Sequence, residues 1–198
     1  MFVELEGIDG SGKTTQCKLL KEWMVANNMP TVIVKELEST NLGRRVKEVL
    51  TQATPNTVNS EMFLFLASKA QAFSEIILPT LAKGESVIAD RGNGSFISYN
   101  ASMGTDRQMI INLLDTVNLG TVPDLTILLD LPATIAKKRI ATREVKNRFD
   151  LVKETQMEKQ RYQFLSLAET FPNWITINAN LEREVIHRQI AQIIKKRL

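Results

Sequence analysis

Residues 7–14 read Gly7-Ile8-Asp9-Gly10-Ser11-Gly12-Lys13-Thr14, which is the spacing G-x-x-x-x-G-K-[ST] of a phosphate-binding loop. Glycines let the backbone curl until successive N–H groups face one phosphate. A helix starting at the end of the loop adds the positive end of its dipole. Lys13 can then bridge the outer phosphates, and the Thr14 hydroxyl can bind Mg²⁺. Gly7, Asp9, Gly10, Ser11, Gly12 and Thr15 complete the set expected around the phosphates of a nucleoside triphosphate. The motif alone does not separate kinases from GTPases, ATPases or DNA-dependent motors.

Two further features suit the movement of a phosphoryl group. Such a transfer brings two polyanions together and needs charge stabilised on the moving group. Val87-Ile88-Ala89 runs into Asp90-Arg91. An acid at that strand end can hold Mg²⁺ directly or through water, and an Arg beside it can clamp a phosphate with two parallel hydrogen bonds. Asp130 also ends an apolar run, where a carboxylate either takes part in chemistry or positions other groups. The segment 137–148 carries Lys137, Lys138, Arg139, Arg143, Lys146 and Arg148 against Glu144 alone. Arg139 and Arg143 stand four residues apart and share a helical face. A lid with such arginines could close over the phosphates and stabilise the transition state. Arg143 is the first candidate, with Arg139 and Arg148 next.

Composition narrows the chemistry further. Among 198 residues there is one Cys and one His. A single thiol cannot form an intramolecular disulfide, and one Cys with one His cannot assemble a zinc site. Catalysis is expected from carboxylates, Lys, Arg and backbone groups. The formal charge is +3, too small to argue for nucleic acid. That excess is local, because outside 137–148 acidic residues outnumber basic ones by 21 to 19. No apolar run approaches the ~20 residues of a membrane span, and the N-terminus shows no signal-peptide pattern. A cytoplasmic protein with neither membrane nor nucleic-acid partners is expected.

These residues need a scaffold. Short apolar, β-branched runs occur at Phe2–Leu5, Thr31–Val34, Ser86–Ala89, Leu125–Leu129 and Trp174–Ile177. Helical periodicity marks Lys13–Asn27, Ser60–Leu81, Thr105–Val117, Lys153–Thr170 and Leu181–Lys196. Alternation of this kind predicts an α/β fold, a parallel sheet with helices on both faces. Ligands then bind beyond the carboxyl ends of the strands, where the phosphate loop and Asp90-Arg91 both fall. The chain reads as one domain, 1–198, with a lid at about 137–150.

Wider stretches are similar to one family. Phe2-Val3-Glu4-Leu5-Glu6-Gly7-Ile8-Asp9-Gly10-Ser11-Gly12-Lys13-Thr14-Thr15-Gln16 resembles the opening of thymidylate kinases, P-loop nucleoside monophosphate kinases that phosphorylate dTMP with ATP. Phe63 to Gln71 looks like the acceptor helix of that family, Val87 to Arg91 like its Asp-Arg strand end, Pro123 to Asp130 like its fourth strand, and Arg139 to Asp150 like its lid. The resemblance implies a three-layer P-loop NTPase fold with strand order 2-3-1-4-5, ATP as donor, Mg²⁺, and a homodimer. It implies catalytic roles for Lys13, Asp90, Arg91 and Arg143, with Thr14 and Asp90 at the metal. It further implies an acceptor pocket of Asp9, Glu36, Phe65, Lys69, Arg91, Ser95, Phe96 and Tyr99. Phe65 would stack on the base, Asp9 would accept from the sugar 3′-OH, and Tyr99 would crowd the 2′ position. A basic residue of this family comes from the P-loop or from the lid, and Gly10 points to the lid.

The departures cluster at the acceptor. Lys69 stands where the family usually has Arg, Gly92 replaces the usual aromatic after Asp-Arg, and Phe96 takes a place that is often polar. Lys35-Glu36-Leu37-Glu38-Ser39-Thr40 replaces Arg-Glu-Pro-Gly-Gly-Thr. Rival readings are a kinase for another deoxynucleotide or a nucleoside, a nucleotide-binding regulatory protein with weakened catalysis, and, less favoured, a DNA-stimulated ATPase. Cys17 reads as a core residue, His187 as surface or interface, and Asn178-Ala179-Asn180 as a loop against the adenine.

Overall fold

The computed structural model describes residues 1–52, 56–142 and 151–198. Strands β1 (Phe2–Glu6), β2 (Thr31–Lys35), β3 (Ser86–Asp90), β4 (Leu125–Asp130) and β5 (Trp174–Asn178) form one parallel sheet. Its order is β2-β3-β1-β4-β5, the order expected from the sequence. The register aligns Leu5 with both Asp90 and Ile127, and Lys35 with Asp90. The carboxyl ends of β2, β3 and β1 therefore stop within one residue of one another while β4 runs on to Asp130, and the loops that follow them share one edge.

The described helices are α1 (Lys13–Ala26), α2 (Asn41–Leu50), α3 (Val58–Ala72), α4 (Leu78–Ala82), α5 (Asn93–Ser102), α6 (Arg107–Asn118), α7 (Ala133–Ala141), α8 (Glu154–Thr170) and α9 (Arg183–Lys195). Helices α1 and α9 bury Cys17, Leu20, Met24, Ile186, Ile190 and Ile194 against Val3, Leu5 and Ile127. Cys17 lies in this core as expected, 1% exposed. On the other face α3, α5 and α6 share a second core through Met62, Leu66, Phe96, Ile97, Ile110 and Leu114. The periodic segment 60–81 is helical throughout, with a π turn at Phe73–Ile77 between α3 and α4. Pro79 follows within one turn, and its ring and missing N–H disfavour the regular α pattern there.

Strand β1 departs from the continuous apolar run expected of a strand covered on both faces. Successive side chains point to opposite faces, so Val3 and Leu5 enter the first core while Glu4 and Glu6 point together toward α5. Both glutamates are buried, at 1% and 0% exposed. A buried carboxylate needs hydrogen-bond donors, and the first turn of α5 supplies them. Glu6 accepts from the backbone N–H groups of Gly92 and Ser95, each at 2.8 Å, and from the Ser95 hydroxyl. Glu4 accepts from the Asn93 N–H at 3.2 Å. These N–H groups otherwise lack a partner at a helix start. Burial, with Glu6 as a like-charged neighbour, pushes the Glu4 carboxyl up to about 8. Burial also raises Glu6, against the hydrogen bonds from Ser95.

Gly92 is explained by the same pair. A Cβ at position 92 would lie 2.1 Å from Glu4 Cδ and 2.2 Å from its Oε1, inside contact distance. The Glu4 carboxyl therefore occupies space that a side chain at 92 would need. Gly92→Ala is expected to destabilise the fold by about 1–3 kcal/mol through overpacking, read from urea unfolding midpoints. Adding Glu4→Ala should recover part of that loss, so the two changes are non-additive. Strict additivity would show that the close approach has no energetic weight.

Candidate active site

The phosphate loop connects β1 to α1 and is empty of side chains where it must approach a ligand. A Cβ at Gly10 would meet the Ala136 carbonyl oxygen at 2.8 Å, because α7 packs against the loop there, and its φ of 84° suits glycine. No larger residue fits at position 10, so a catalytic cation cannot come from that position. Lys13 is 5% exposed and folds back over the loop. Its ammonium donates to the carbonyls of Gly7 at 2.7 Å and Ile8 at 2.9 Å, and lies 3.5 Å from the buried Ser11 hydroxyl. Burial and the nearby Arg91 guanidinium lower Lys13 to about 8. Thr14 and Thr15 lie exposed at the start of α1.

Across the sheet edge, the Thr14 hydroxyl donates to Asp90 Oδ2 at 2.6 Å. Two hard oxygen donors thus meet beside the phosphate loop. That suits Mg²⁺, which takes few protein ligands and completes its shell with water and phosphate. No group of three or more His, Cys, Asp or Glu side chains arranged for a metal occurs among the described residues.

Arg91 follows at a φ of 75°. A non-glycine residue in that region is strained, and the two glutamates fix the backbone immediately after it. Its guanidinium pairs with Asp9 of the phosphate loop and reaches the Ser95 hydroxyl at 3.4 Å. Burial lowers Arg91, but Asp9, Glu36 and Asp90 outweigh this and its pKa is raised. One cleft of about 220 Å³ takes in Gly7, Asp9, Glu36, Phe65, Arg91, Ser95, Phe96 and Tyr99. The fold thus brings seven of the eight acceptor residues expected from sequence to one place. Phe65 and Tyr99 have ring centroids 6.4 Å apart, tilted at 44°. Phe96 lines the cleft while belonging mostly to the core, at 3% exposed.

Lys69 is the eighth, and it lies elsewhere. It lines a neighbouring cavity of about 30 Å³ with Glu4, Glu36, Arg91 and Gly92, its ammonium 3.6 Å from Glu36 Oε1. The Glu36 carboxylate is its ion-pair partner there. Other residues facing the main cleft carried no sequence signal. Asn100 is 1% exposed, donates through Nδ2 to the Phe96 carbonyl at 2.8 Å, and keeps an Oδ1 without a hydrogen-bond partner among the described residues. Gln160 of α8 joins it. Glu38 and Lys47 also line the cleft. Partial burial raises Glu38, and the ammonium groups of Lys35 and Lys47 outweigh it, leaving its carboxyl below the usual range.

Asp130 is held by a bidentate pair with Arg161, at 2.7 and 3.0 Å. Arg139 donates to the Ala179 carbonyl at 3.1 Å and reaches the Gly10 carbonyl at 3.5 Å. It therefore bridges the phosphate loop and the 178–180 loop that the sequence placed against the adenine. Arg143 and Arg148 lie outside the described residues.

Comparison with known proteins agrees over nearly the whole chain. The family profile described as Thymidylate kinase matches residues 5–190. A protein of Pyrococcus horikoshii named probable thymidylate kinase is 38% identical over 203 residues, covering 100% of this chain and 97% of its own. One of Thermococcus kodakarensis with the same name is 37% identical, covering 98% and 97%. A Thermosipho melanesiensis protein named thymidylate kinase is 34% identical, also covering 98% and 97%.

The lowered Lys13 makes donor binding sensitive to pH. Donor phosphates favour the ammonium form, so ATP affinity should weaken as pH rises through about 8, by up to about tenfold per unit. Below that value it should be flat. Calorimetric titration with ATP from pH 6.5 to 9.5 measures this, and Lys13→Met should bind weakly with no such inflection.

Proposed function

The chain belongs to the thymidylate kinase family, and from that premise we propose ATP-dependent phosphorylation of dTMP to dTDP as its reaction, in one domain spanning 1–198. The observation that carries the reading is the single cleft in which Asp9 and Arg91 meet Phe65 and Tyr99, beside a phosphate loop whose Lys13 and Thr14 face the same sheet edge. The match to the thymidylate kinase family speaks against the rival acceptors, and the intact phosphate loop with its Thr14–Asp90 oxygen pair speaks against the regulatory reading.

The residues divide the work by their chemistry. Lys13 leaves the Gly7 and Ile8 carbonyls for the donor's outer phosphates, trading two neutral acceptors for an anion. The N–H groups of Gly10 to Gly12 and the side chains of Thr14 and Thr15 surround those phosphates. Thr14 and Asp90 are the residues that would hold Mg²⁺, which neutralises phosphate charge when bound. Arg91 exchanges Asp9 for the acceptor phosphate, and Asp9 accepts from the sugar 3′-OH. Arg139 sits on the donor side, with Arg143 and Arg148 assigned to the lid. No covalent enzyme intermediate is needed in an in-line transfer, so the scarcity of Cys and His costs nothing.

For the base, Phe65 provides a stacking face that accepts any flat ring. The fixed Asn100 Oδ1 accepts from an imide N–H, which thymine and uracil offer at N3 and cytosine does not. Lys69 is assigned to neutralising Glu36, and Glu36 and Ser95 to shaping the Arg91 side of the pocket. Phe96 serves as its floor.

A cytoplasmic homodimer accompanies this reading. Phe63, Ala67 and Ala70 lie on one face of α3, and Phe63 is 55% exposed. The stretch Val58–Ala82 is as long and apolar as a membrane span, with 33% of its most apolar window buried. Glu61, Lys69 and Glu75 interrupt it, and a second copy of the chain is the partner that fits.

Coupled ADP release should be fast with dTMP and slow with dCMP. Arg91→Ala should lower kcat/KM for dTMP by about 10²–10³-fold while leaving ATP affinity nearly unchanged, and normal turnover by that variant would remove the assigned role. Phe63→Glu should convert the dimer to monomer in light scattering.

A further inference from the structure

Positive groups at the mouth of the cleft are engaged by carboxylates of the chain itself. Arg91 is paired with Asp9. Another carboxylate of the cleft, Glu38, holds two ammonium groups at once: Lys35 Nζ lies 2.6 Å from its Oε2, and Lys47 Nζ lies 2.6 Å from its Oε1. Glu38 and Lys47 line the same cleft as Asp9, Arg91, Phe65 and Tyr99.

The Lys35, Lys47 and Glu38 side chains are 42%, 44% and 36% exposed, but the backbone that carries Glu38 is fixed. The Lys35 carbonyl accepts from the N–H groups of both Glu38 and Ser39, and the Ser39 hydroxyl accepts from the Lys35 N–H at 2.7 Å. Leu37 sits in the left-handed region at φ 62°. Arg44 donates to the Glu38 carbonyl at 3.0 Å, and Thr40 caps α2 by accepting from Gly43. The turn plants the carboxylate between the end of β2, which carries Lys35, and α2, which carries Lys47.

Two lysines converging on a pair of anionic oxygens also suit a phosphate. A phosphate monoester carries a charge of about −1.5 to −2 near neutral pH, more than a carboxylate, with three oxygens to share. An uncharged nucleoside has nothing to exchange for Glu38. We propose that Glu38 is an internal competitor for the acceptor phosphate, so that entry to the cleft requires a dianionic group able to take Lys47 and Lys35 from it. The inference rests on the reading of the acceptor as a nucleoside monophosphate. It gives a role in acceptor selection to a residue in the loop 35–40, where the sequence departs from its family.

Glu38→Gln keeps the size and removes the charge. With ATP saturating, the KM for dTMP is expected to fall about three- to tenfold. Glu48→Gln, an exposed change on α2 away from the cleft, should leave it unaltered. Calorimetry separates charge from space: dTMP binding should tighten in Glu38→Gln, and thymidine binding should not. Lys47→Met should raise the dTMP KM by a comparable factor. An unchanged or higher KM in Glu38→Gln, an equal gain for thymidine, or indifference to Lys47→Met overturns the proposal. Failure of the unaltered protein to turn over dTMP strikes instead at the kinase reading, and the binding comparison still decides the role of Glu38.

Discussion

Two buried carboxylates on the central strand organise the acceptor side of this molecule. Glu4 and Glu6 have no water to solvate them and no room to leave, so backbone N–H groups must come to them. The first turn of α5 provides those groups, and in doing so it is fixed against the strand that leads into the phosphate loop. Donor and acceptor halves of the site are thereby tied through one pair of neighbouring strands. Arg91 is held in a strained backbone conformation because the residues after it are pinned. Gly92 follows from the same constraint, as the only residue that leaves space for Glu4.

Charge in the cleft is balanced internally. Lys13 rests on loop carbonyls, Arg91 on Asp9, Lys47 on Glu38, and in the neighbouring cavity Lys69 on Glu36. An unpaired cation enclosed in a cleft would be costly, and repulsion among several would be worse. On the proposed reading, substrate phosphates bind by exchange with these internal partners, and selection falls on ligands carrying enough negative charge.

Much of this was legible in the residues. The phosphate loop has a fixed spacing because its geometry is local, and strand and helix periods follow from whether one or both faces are covered. The missing parts were non-local. Glu4 and Glu6 passed unnoticed inside an apolar strand, because a buried carboxylate is identified only by the donors that reach it, and those come from residues 92–95. Asn100 and Gln160 belong to different helices with no shared motif. Helices α2, α5 and α7 are short, and the capping of α2 by Thr40, of α5 by Glu6 and of α7 by Glu158 is clearer in space than in periodicity. Lys69 aligned with a base-contacting residue, yet it pairs with Glu36, in the turn that follows β2.

The sequence by itself determined the phosphate-binding loop, the parallel α/β architecture and, by resemblance, the strand order, and it singled out Arg91 and Phe65 as candidates that the fold brings into one cleft. These rest on contiguous motifs, in which spacing along the chain equals spacing in the site. Tertiary structure decided which cation faces which anion. It turned Lys69 away from the cleft, closed position 10 with the backbone of α7, placed Glu38 between two lysines, and left the Asn100 oxygen in the cleft wall without a hydrogen-bond partner among the described residues. Such pairings depend on distances between elements far apart in sequence, and electrostatic and steric energies follow distance in space rather than separation along the chain.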